Sequence, residues 1–332
     1  MLRAGLLVLG LLTLIGLVWH VGPGRIVETI GTLGPLTVLF ILLPSLLMYA
    51  IEAYGWRVTL VNHAQAVSFA RLFAIRTAGE VVNMTTPTAY MGGEPMKAFL
   101  LSRYRVPMVE GLASVVIAKT IMSLAEVLFI LLGLGLALWL LGGAGSVGKT
   151  LAAAVIGLGL LLCGVLVFVF VQRRGLFTWL LSMLRRLGLR IGYLESREEK
   201  LKSVDQTILT FYTEHHGSFA LSGLLFLFGW MAEALEVYVI LWYLGGPASI
   251  SSSIAIGALS VFIKGGTFFI PGSLGAQEGG NLLLLQAFGY SDVTGLTFAL
   301  LRRVRELVWI GIGLLCLGLL GGRGAQGPSP TS

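Results

Sequence analysis

The chain has 332 residues, 56% of them hydrophobic and only 12% charged, with a mean hydropathy of +0.89. Ordinary soluble domains carry about 25% charged residues, so this composition excludes a soluble globular protein and indicates a polytopic membrane protein. The net charge of +7 speaks for topology rather than nucleic acid, because basic residues are interleaved with acids and no nucleic-acid-binding motif appears.

Charge-poor runs of spanning length fall at residues 4–19, 35–51, 120–148, 150–172, 217–244 and 307–322, near or above the ~20 residues that cross a hydrocarbon core. The first follows Arg3 and has no small-residue cleavage site after Trp19, so it reads as an uncleaved span. Arg57, Arg71, Arg76, Lys97, Arg103 and Arg105 gather in one segment, and eight more basic residues lie between 173 and 202. Both segments are expected in the cytoplasm, which places the turns at 20–34 and 142–149 outside and the N-terminus inside. Cys163 and Cys316 lie in apolar spans and read as core residues without a disulfide or metal role.

Two stretches interrupt the pattern: "PTAYMGGEPMKAF" at 87–99 and "PGSLGAQEGG" at 271–280. A shift of 184 residues lays Pro87 on Pro271 and Glu94 on Glu278. The same shift carries Ala50, Glu52 and Tyr54 onto Ala234, Glu236 and Tyr238, and Lys119 onto Arg303. Prolines and glutamates in one register are not a chance match among leucines, so the pattern reads as an internal duplication. Each copy is a long span, an irregular stretch of short helices broken by Gly and Pro, and a second long span. Three crossings separate the two glutamate-bearing spans if the broken stretch returns to its own side, which inverts the copies. The expected fold is an all-α polytopic membrane protein: about six spanning helices plus two re-entrant broken-helix hairpins in an inverted internal repeat. Its parts are 1–34 (N-terminal span and external turn), 35–141 (first copy), 142–216 (span plus cytoplasmic amphipathic linker), 217–320 (second copy) and 321–332 (disordered tail).

Backbone that leaves helical geometry at membrane depth must be buried by protein or line a wet cavity. Pro87, Gly92, Gly93, Pro271, Gly272, Gly275, Gly279 and Gly280 are therefore candidate hinges, with Ala276 to Phe288 a half-helix whose N-terminus points at an anion. Close helix packing is the alternative role for such glycines. The cluster "LRRVRE" at 301–306 lies 9 to 14 residues into a last helix starting at Asp292, about 13 to 21 Å along it. Arg302, Arg303, Arg305 and the repeat mate Lys119, with Glu126 two turns beyond it, then sit near the midplane and must face a cavity, pair with one another or with Glu52, Glu233, Glu236 and Glu306, or both. Arg302 and Glu306, four apart, share a face and are expected to pair locally, leaving Arg303 or Arg305 free. With Asn83, Glu94, Gln277 and Glu278, these residues form a candidate binding set for a phosphate or similar anion. Structural ion pairs that lock the copies together are one alternative; a stop signal at the cytoplasmic edge, with the chain ending outside, is another, but it requires the broken stretch to cross fully and breaks the inverted symmetry. His20, His63, His215 and His216 show no metal-ligand spacing, so neither metal nor cofactor is expected.

The stretches "GEVVN", "PTAYMGGEPMKAFLL" and "PGSLGAQEGG", followed by "FGY" and "LLRRVREL", resemble the lysylphosphatidylglycerol synthase/flippase transmembrane family, in particular its subgroup associated with hopanoid biosynthesis. The resemblance runs from about Leu36 to Gly318. It implies a bacterial inner-membrane protein with paired re-entrant helices, related to domains that move phospholipids between leaflets. The soluble aminoacyl-transferase domain of the synthase members is not expected here, nor is aminoacyl transfer to lipid.

The leading functional expectation is a lipid translocase that makes no covalent change: an anionic headgroup binds among the midplane charges while the copies rock around it. The lipid is a phospholipid, a polyprenyl phosphate or a hopanoid-related molecule. No Walker motif is present, so the drive would be a gradient or downhill lipid flow, with Glu94 and Glu278 relaying protons or holding counter-charge. A membrane transferase or phosphatase acting on a lipid phosphate, or a scaffold for a lipid-synthesis complex, are the competing classes. Membrane lipids are the expected partners, including anionic headgroups at the cytoplasmic face beside the linker. A homo-oligomer or lipid-synthesis enzymes stay open as protein partners.

Overall fold

The computed structural model describes residues 34–86, 92–141, 146–186, 196–267, 273 and 275–322, with scattered positions among the first 31. Among the described residues the fold is helical, without strands. The helices are α1 (Pro35–Thr59), α2 (Phe69–Thr85), α3 (Gly93–Ser102), α4 (Met108–Leu141), α5 (Ser146–Arg173) and α6 (Leu176–Arg186), then α7 (Glu198–Glu214), α8 (His216–Tyr243), α9 (Ile250–Gly266), α10 (Ala276–Ala287) and α11 (Asp292–Gly322).

Four stretches are long and apolar enough to cross a membrane: Leu39–Thr59 in α1, Met108–Leu141, Val155–Arg173 in α5, and His216–Tyr243. The 31 residues of α11 also exceed a spanning length, but its first half carries the arginine cluster. The expected span at 4–19 lies mostly outside the described residues, as does the tail beyond 322.

Local sequence explains the helix starts. Pro35 opens α1 with its φ already helical. Ser249 and Ser252 form a capping box on α9, each side-chain oxygen accepting from the other's backbone N–H at 3.0 and 3.2 Å. Gly275 takes φ +76 before α10, a conformation open to glycine, and its N–H donates to Glu278 Oε2 at 2.8 Å.

Packing joins α1 to α8 along most of their lengths. Around that pair, α2 lies on α11 and α9 on α4; α3 covers α4 and α10 covers α11. Under the 184-residue shift α1 maps to α8, α2 to α9, α3 to α10 and α4 to α11, so each of these contacts exchanges with another or with itself. Both equivalent crossings close on a glycine. A Cβ on Gly133 would stand 2.2 Å from Ala258 Cβ, and one on Gly313 would stand 2.9 Å from the Thr77 carbonyl. Such small-residue contacts let membrane helices approach where lipid supplies no hydrophobic drive. Outward, Leu39, Phe40, Leu43, Leu128, Leu132, Leu224 and Phe228 are exposed, the apolar surface a bilayer covers.

Three expectations change. Arg76 and Lys97, counted as cytoplasmic charges, are 6% and 8% exposed; they answer interior carboxylates, so the charge bias of that segment rests on the other four basic residues. Cys163 is exposed and Cys316 half-buried, so Cys163 is not a core residue; it lies on α5, on an outward apolar face. The linker does not simply lie on headgroups either. Val204, Ile208 and Phe211 of α7 join the core with α4, and Tyr212 donates to Gln172 Oε1 at 2.9 Å while Gln172 donates to Thr120 at 2.7 Å. Asp205 of α7 accepts from the backbone N–H groups of Phe177 and Thr178, capping α6, whose Trp179, Leu180 and Met183 stay exposed.

Candidate functional site

A cavity of about 200 Å³ lies between the two halves of the chain related by the 184-residue shift, here the first and second copy, lined by α1, α2 and α4 on one side and α8, α9 and α11 on the other. Ten charged side chains face it: Arg76, Lys119, Lys264, Arg302 and Arg305 against Glu52, Glu80, Glu126, Glu233 and Glu306. A smaller void of about 30 Å³ beside it reaches Glu94 and Lys97. Charges at this depth persist in membrane proteins where they pair and face a cavity.

In the first copy, Glu52 of α1 is ion-paired with Arg76 of α2. The Arg76 guanidinium lies 4.4 Å over the ring of Tyr49, which stacks at 4.0 Å on Trp309 of the second copy. Trp309 Nε1 donates to Ser45 Oγ at 2.9 Å. This ladder ties α1 to α2 and α11 through one wall of the cavity. Deeper in, Lys97 sits 3.0 Å from Glu94 and 3.7 Å from Glu80. Asn83 donates to Glu94 Oε1 at 3.0 Å and accepts the Gly93 N–H at 2.6 Å. A Cβ on Gly93 would stand 1.9 Å from the Gly79 carbonyl, so this junction of α2 and α3 admits only glycine.

In the second copy, Glu233 of α8 holds both Arg302, as an ion pair, and Arg305, at 2.8 Å. Arg305 also reaches Glu236 at 2.7 Å. Glu306 binds Lys264 of α9 at 2.6 Å and Arg303 at 2.6 Å, and Arg303 binds Glu278 of α10 at 2.6 Å. Gln277 Nε2 donates to Glu306 Oε1 at 3.3 Å. Apart from Arg303 with Glu306 and Lys97 with Glu94, each within one helix, these ion pairs are cross-helix clamps, strong where desolvated and costly if one member is removed.

The pairing leaves several donors over. Arg76 Nη1, Arg302 Nε and Nη1, and Trp230 Nε1 are buried without an acceptor among the described residues, and all three side chains line the cavity. A buried N–H without a partner costs about 1–3 kcal/mol, so the site is suited to acceptor-rich oxygens. Lys119, also on the lining, makes no hydrogen bond or ion pair with a described residue.

Residues 3–313 match the family described as "Lysylphosphatidylglycerol synthase TM region". The chain belongs to this family. A similar protein, described as a UPF0104 membrane protein of Methanothermobacter thermautotrophicus, is 23% identical over 321 residues, covering 91% of this chain and 90% of the relative. No solved structure matched the chain. Membership in the lysylphosphatidylglycerol synthase transmembrane family agrees with the helical, multi-pass architecture and ties the chain to a lipid-related membrane role.

Of the residues singled out in the sequence of this family member, Lys119, Arg302, Arg305, Glu52 and Glu306 line the cavity. Glu94 lines the smaller void, and Asn83 holds it. Arg303, Glu236, Glu278 and Gln277 stand behind the lining as bonded partners. The expected local pair of Arg302 with Glu306 does not form: the carboxylates of α8 and α10 lie across from α11 and capture the guanidinium groups instead, so none of the three arginines is free. Of the candidate hinges, Gly275 has the left-handed backbone, whereas Gly93 and Gly280 are tight contacts, the latter with Ile263 at 2.6 Å from an added Cβ. Gly92 has ordinary helical φ of −65, and an added Cβ at Gly279 would meet nothing within 4 Å. Pro87, Pro271 and Gly272 lie outside the described residues.

Glu126 and Glu233, also expected among the midplane charges, line the cavity too, whereas Arg76, Glu80 and Lys264 complete its charged lining and were not among the expected site residues. A signal for two of them existed, because the 184-residue shift lays Glu80 on Lys264.

Proposed function

We propose that this protein moves a lipid between the leaflets of a membrane, with the polar headgroup in the cavity and the apolar chains in the surrounding bilayer. The lipid is released unaltered. The observation that carries this reading is a cavity walled by three helices of each copy and lined by ten charged side chains, inside a chain whose outer surface is apolar. An anchored core of ion pairs with leftover N–H donors suits a phosphate-bearing headgroup: the donors bind its oxygens, and carboxylate partners already hold the guanidinium groups in place. The family's lipid-related character supports the same substrate class. Phospholipids, polyprenyl phosphates and hopanoid-related lipids share this design of polar head and apolar tail.

Translocation on this reading uses the two copies as inverted halves. Each carries a broken stretch against its partner's long helix, and rocking of one copy on the other opens the cavity to either side in turn. The seat is the bacterial inner membrane with both termini in the cytoplasm. The test is purified protein in vesicles carrying a phospholipid labelled on an acyl chain, bleached from outside with an impermeant reductant. Bleaching beyond the outer-leaflet fraction is expected. Bleaching that stops at that fraction with correctly folded protein, or a new covalent lipid product, would overturn the proposal; the second outcome would indicate a transferase or phosphatase.

A further inference from the structure

Two charged side chains of the cavity lining, one of each sign, stand outside the network of hydrogen bonds and ion pairs among the described residues. Arg76 is taken by Glu52, Arg302 and Arg305 by Glu233, and Lys264 by Glu306. Glu80 has Lys97 at 3.7 Å. Lys119 and Glu126 are left, and neither makes a hydrogen bond or ion pair with a described residue. Both belong to α4 and both face the cavity. Seven residues apart, they lie two turns from each other on one face, about 10 Å along the helix axis.

This pattern discriminates between headgroups. An anionic headgroup without an amine would satisfy Lys119 and set its own charge near the Glu126 carboxylate. A cationic headgroup without a phosphate would satisfy Glu126 and repel Lys119. A headgroup with one phosphate and one ammonium neutralises both, and the leftover N–H donors of Arg76, Arg302 and Trp230 add contacts to phosphate oxygens without changing the charge balance. Lys119 and Glu126 are answered by each other and by their neighbours only across space, and a charge without a bonded partner in a low-dielectric site is costly, so direct contact with both favours the headgroup that carries both signs.

We propose that the cavity selects a zwitterionic phosphoethanolamine-type headgroup, its phosphate held by Lys119 and its ammonium by Glu126. The proposal rests on the translocation reading for its lipid source, while the headgroup chemistry is testable apart from it. In vesicles, labelled phosphatidylethanolamine is expected to cross at least about tenfold faster than labelled phosphatidylglycerol, a ratio equivalent to 1.4 kcal/mol. Glu126→Gln is expected to bring the two rates together by raising that of phosphatidylglycerol, with Glu126→Asp keeping the preference. Lys119→Gln is expected to slow phosphatidylethanolamine about tenfold, and Lys119→Arg to restore it. Equal rates in the wild type, or an unchanged ratio in Glu126→Gln, overturn the proposal.

Calorimetric titration with short-chain forms of the same two lipids separates the two levels of the argument. If no lipid crosses but the preference for the ethanolamine headgroup appears in binding and disappears in Glu126→Gln, translocation fails and the headgroup assignment stands. If binding shows no preference, the assignment fails. Free phosphoethanolamine completes the set: weaker binding than the short-chain lipid supports a lipid source, and equal binding overturns it in favour of a soluble ligand. Circular dichroism and gel filtration confirm that each variant is folded.

Discussion

Glu278 is bonded to Arg303 through two nitrogens and to the start of its own helix at once. Arg303 donates to Oε1 from Nε at 2.8 Å and from Nη2 at 2.6 Å, while the Gly275 N–H donates to Oε2 at 2.8 Å. One carboxylate thus caps α10 and fixes it against the charged middle of α11. The two roles separate by substitution. Glu278→Gln keeps an oxygen for the Gly275 N–H and loses the ionic bond; Glu278→Ala loses both. We expect destabilisation of about 1 kcal/mol for Gln and about 2–3 kcal/mol for Ala, because Arg303 retains Glu306. Thermal unfolding in detergent checks the order, and an Ala variant as stable as the Gln variant would show that the cap contributes nothing.

Glu233 is the most exposed to loss of all the carboxylates in energetic terms, since two buried arginines depend on it. Glu233→Leu leaves Arg302 without its ion-pair partner and Arg305 with Glu236 only. Breaking such a buried network by removing one member costs about 3–5 kcal/mol. Replacing Glu233, Glu236, Arg302 and Arg305 together with leucines removes the orphaned charges as well, so the quadruple variant is expected to recover part of the loss. Chemical denaturation of the single and quadruple variants measures this. A quadruple variant less stable than the single would indicate that the arginines have acceptors other than Glu233 and Glu236.

The adjacent glycines 279 and 280 look equivalent in sequence and differ in structure. An added Cβ at Gly279 meets nothing within 4 Å, while one at Gly280 stands 2.6 Å from Ile263 Cγ2 of α9. Both lie inside α10, where alanine is favoured over glycine by about 1 kcal/mol. Gly279→Ala is therefore expected to stabilise by roughly 0.5–1 kcal/mol. Gly280→Ala is expected to destabilise by about 1–3 kcal/mol as Ile263 leaves its rotamer or α9 moves off α10. Melting temperatures of opposite shift are the expected result; equal shifts would mean that the two positions share one role as hinges.

The helical membrane class was legible because hydropathy needs no tertiary knowledge: long apolar runs have one solution in a bilayer. The 184-residue register was legible because Glu94 and Glu278 are rare residue types for such surroundings, and a shared register of rare types stands out. The pairing of charges was not legible. Arg302 and Glu306 satisfy the helical spacing for a local pair, yet Glu233 across the interface takes Arg302 and Lys264 joins Arg303 on Glu306; which carboxylate wins depends on where helices cross. Burial was equally hidden for Arg76 and Lys97. A count of basic residues in a polar segment treats each as solvated, and nothing local marks the two that turn inward to Glu52 and Glu94. Glu126 was marked by depth alone, two turns beyond Lys119, because its repeat mate is Ile310 and the register that exposed the other glutamates passed over it.

Tyr212 couples the charged linker to the spanning helices, and its pH response tests that coupling. Burial pushes its phenol up to about 12, with a hydrogen bond from the Thr120 side acting in the opposite direction. In the unfolded chain the phenol ionises near pH 10. Its contribution is complete below pH 10, where both states keep the proton, and falls as pH rises from 10 towards 12, where only the unfolded state has released it. Tyr212→Phe removes this alkaline slope together with the bond to Gln172, at a cost of about 1 kcal/mol near neutral pH. Stability curves of the wild type and Tyr212→Phe from pH 8 to 12 are expected to converge on the alkaline side, and parallel curves would show that Tyr212 keeps its proton in neither state or both.

The inverted arrangement proposed for the two halves makes a prediction that no stability measurement reaches. Ser102, exposed at the end of α3, and Ser291, exposed just before α11, occupy the corresponding connections of the two copies. Antiparallel copies place these connections on opposite faces of the membrane; parallel copies place them on the same face. The exposed basic residues near the first, Arg103 and Arg105, assign it to the cytoplasm by the charge bias, which sends Ser291 outside. With Cys163 and Cys316 replaced by serine, single Ser102→Cys and Ser291→Cys variants in intact cells are treated with a membrane-impermeant maleimide. Labelling is expected at position 291 alone, and at 102 only after the membrane is opened. Labelling of both positions before permeabilisation, or of neither, would put the two connections on one side and remove the physical basis for a cavity that opens alternately to each leaflet.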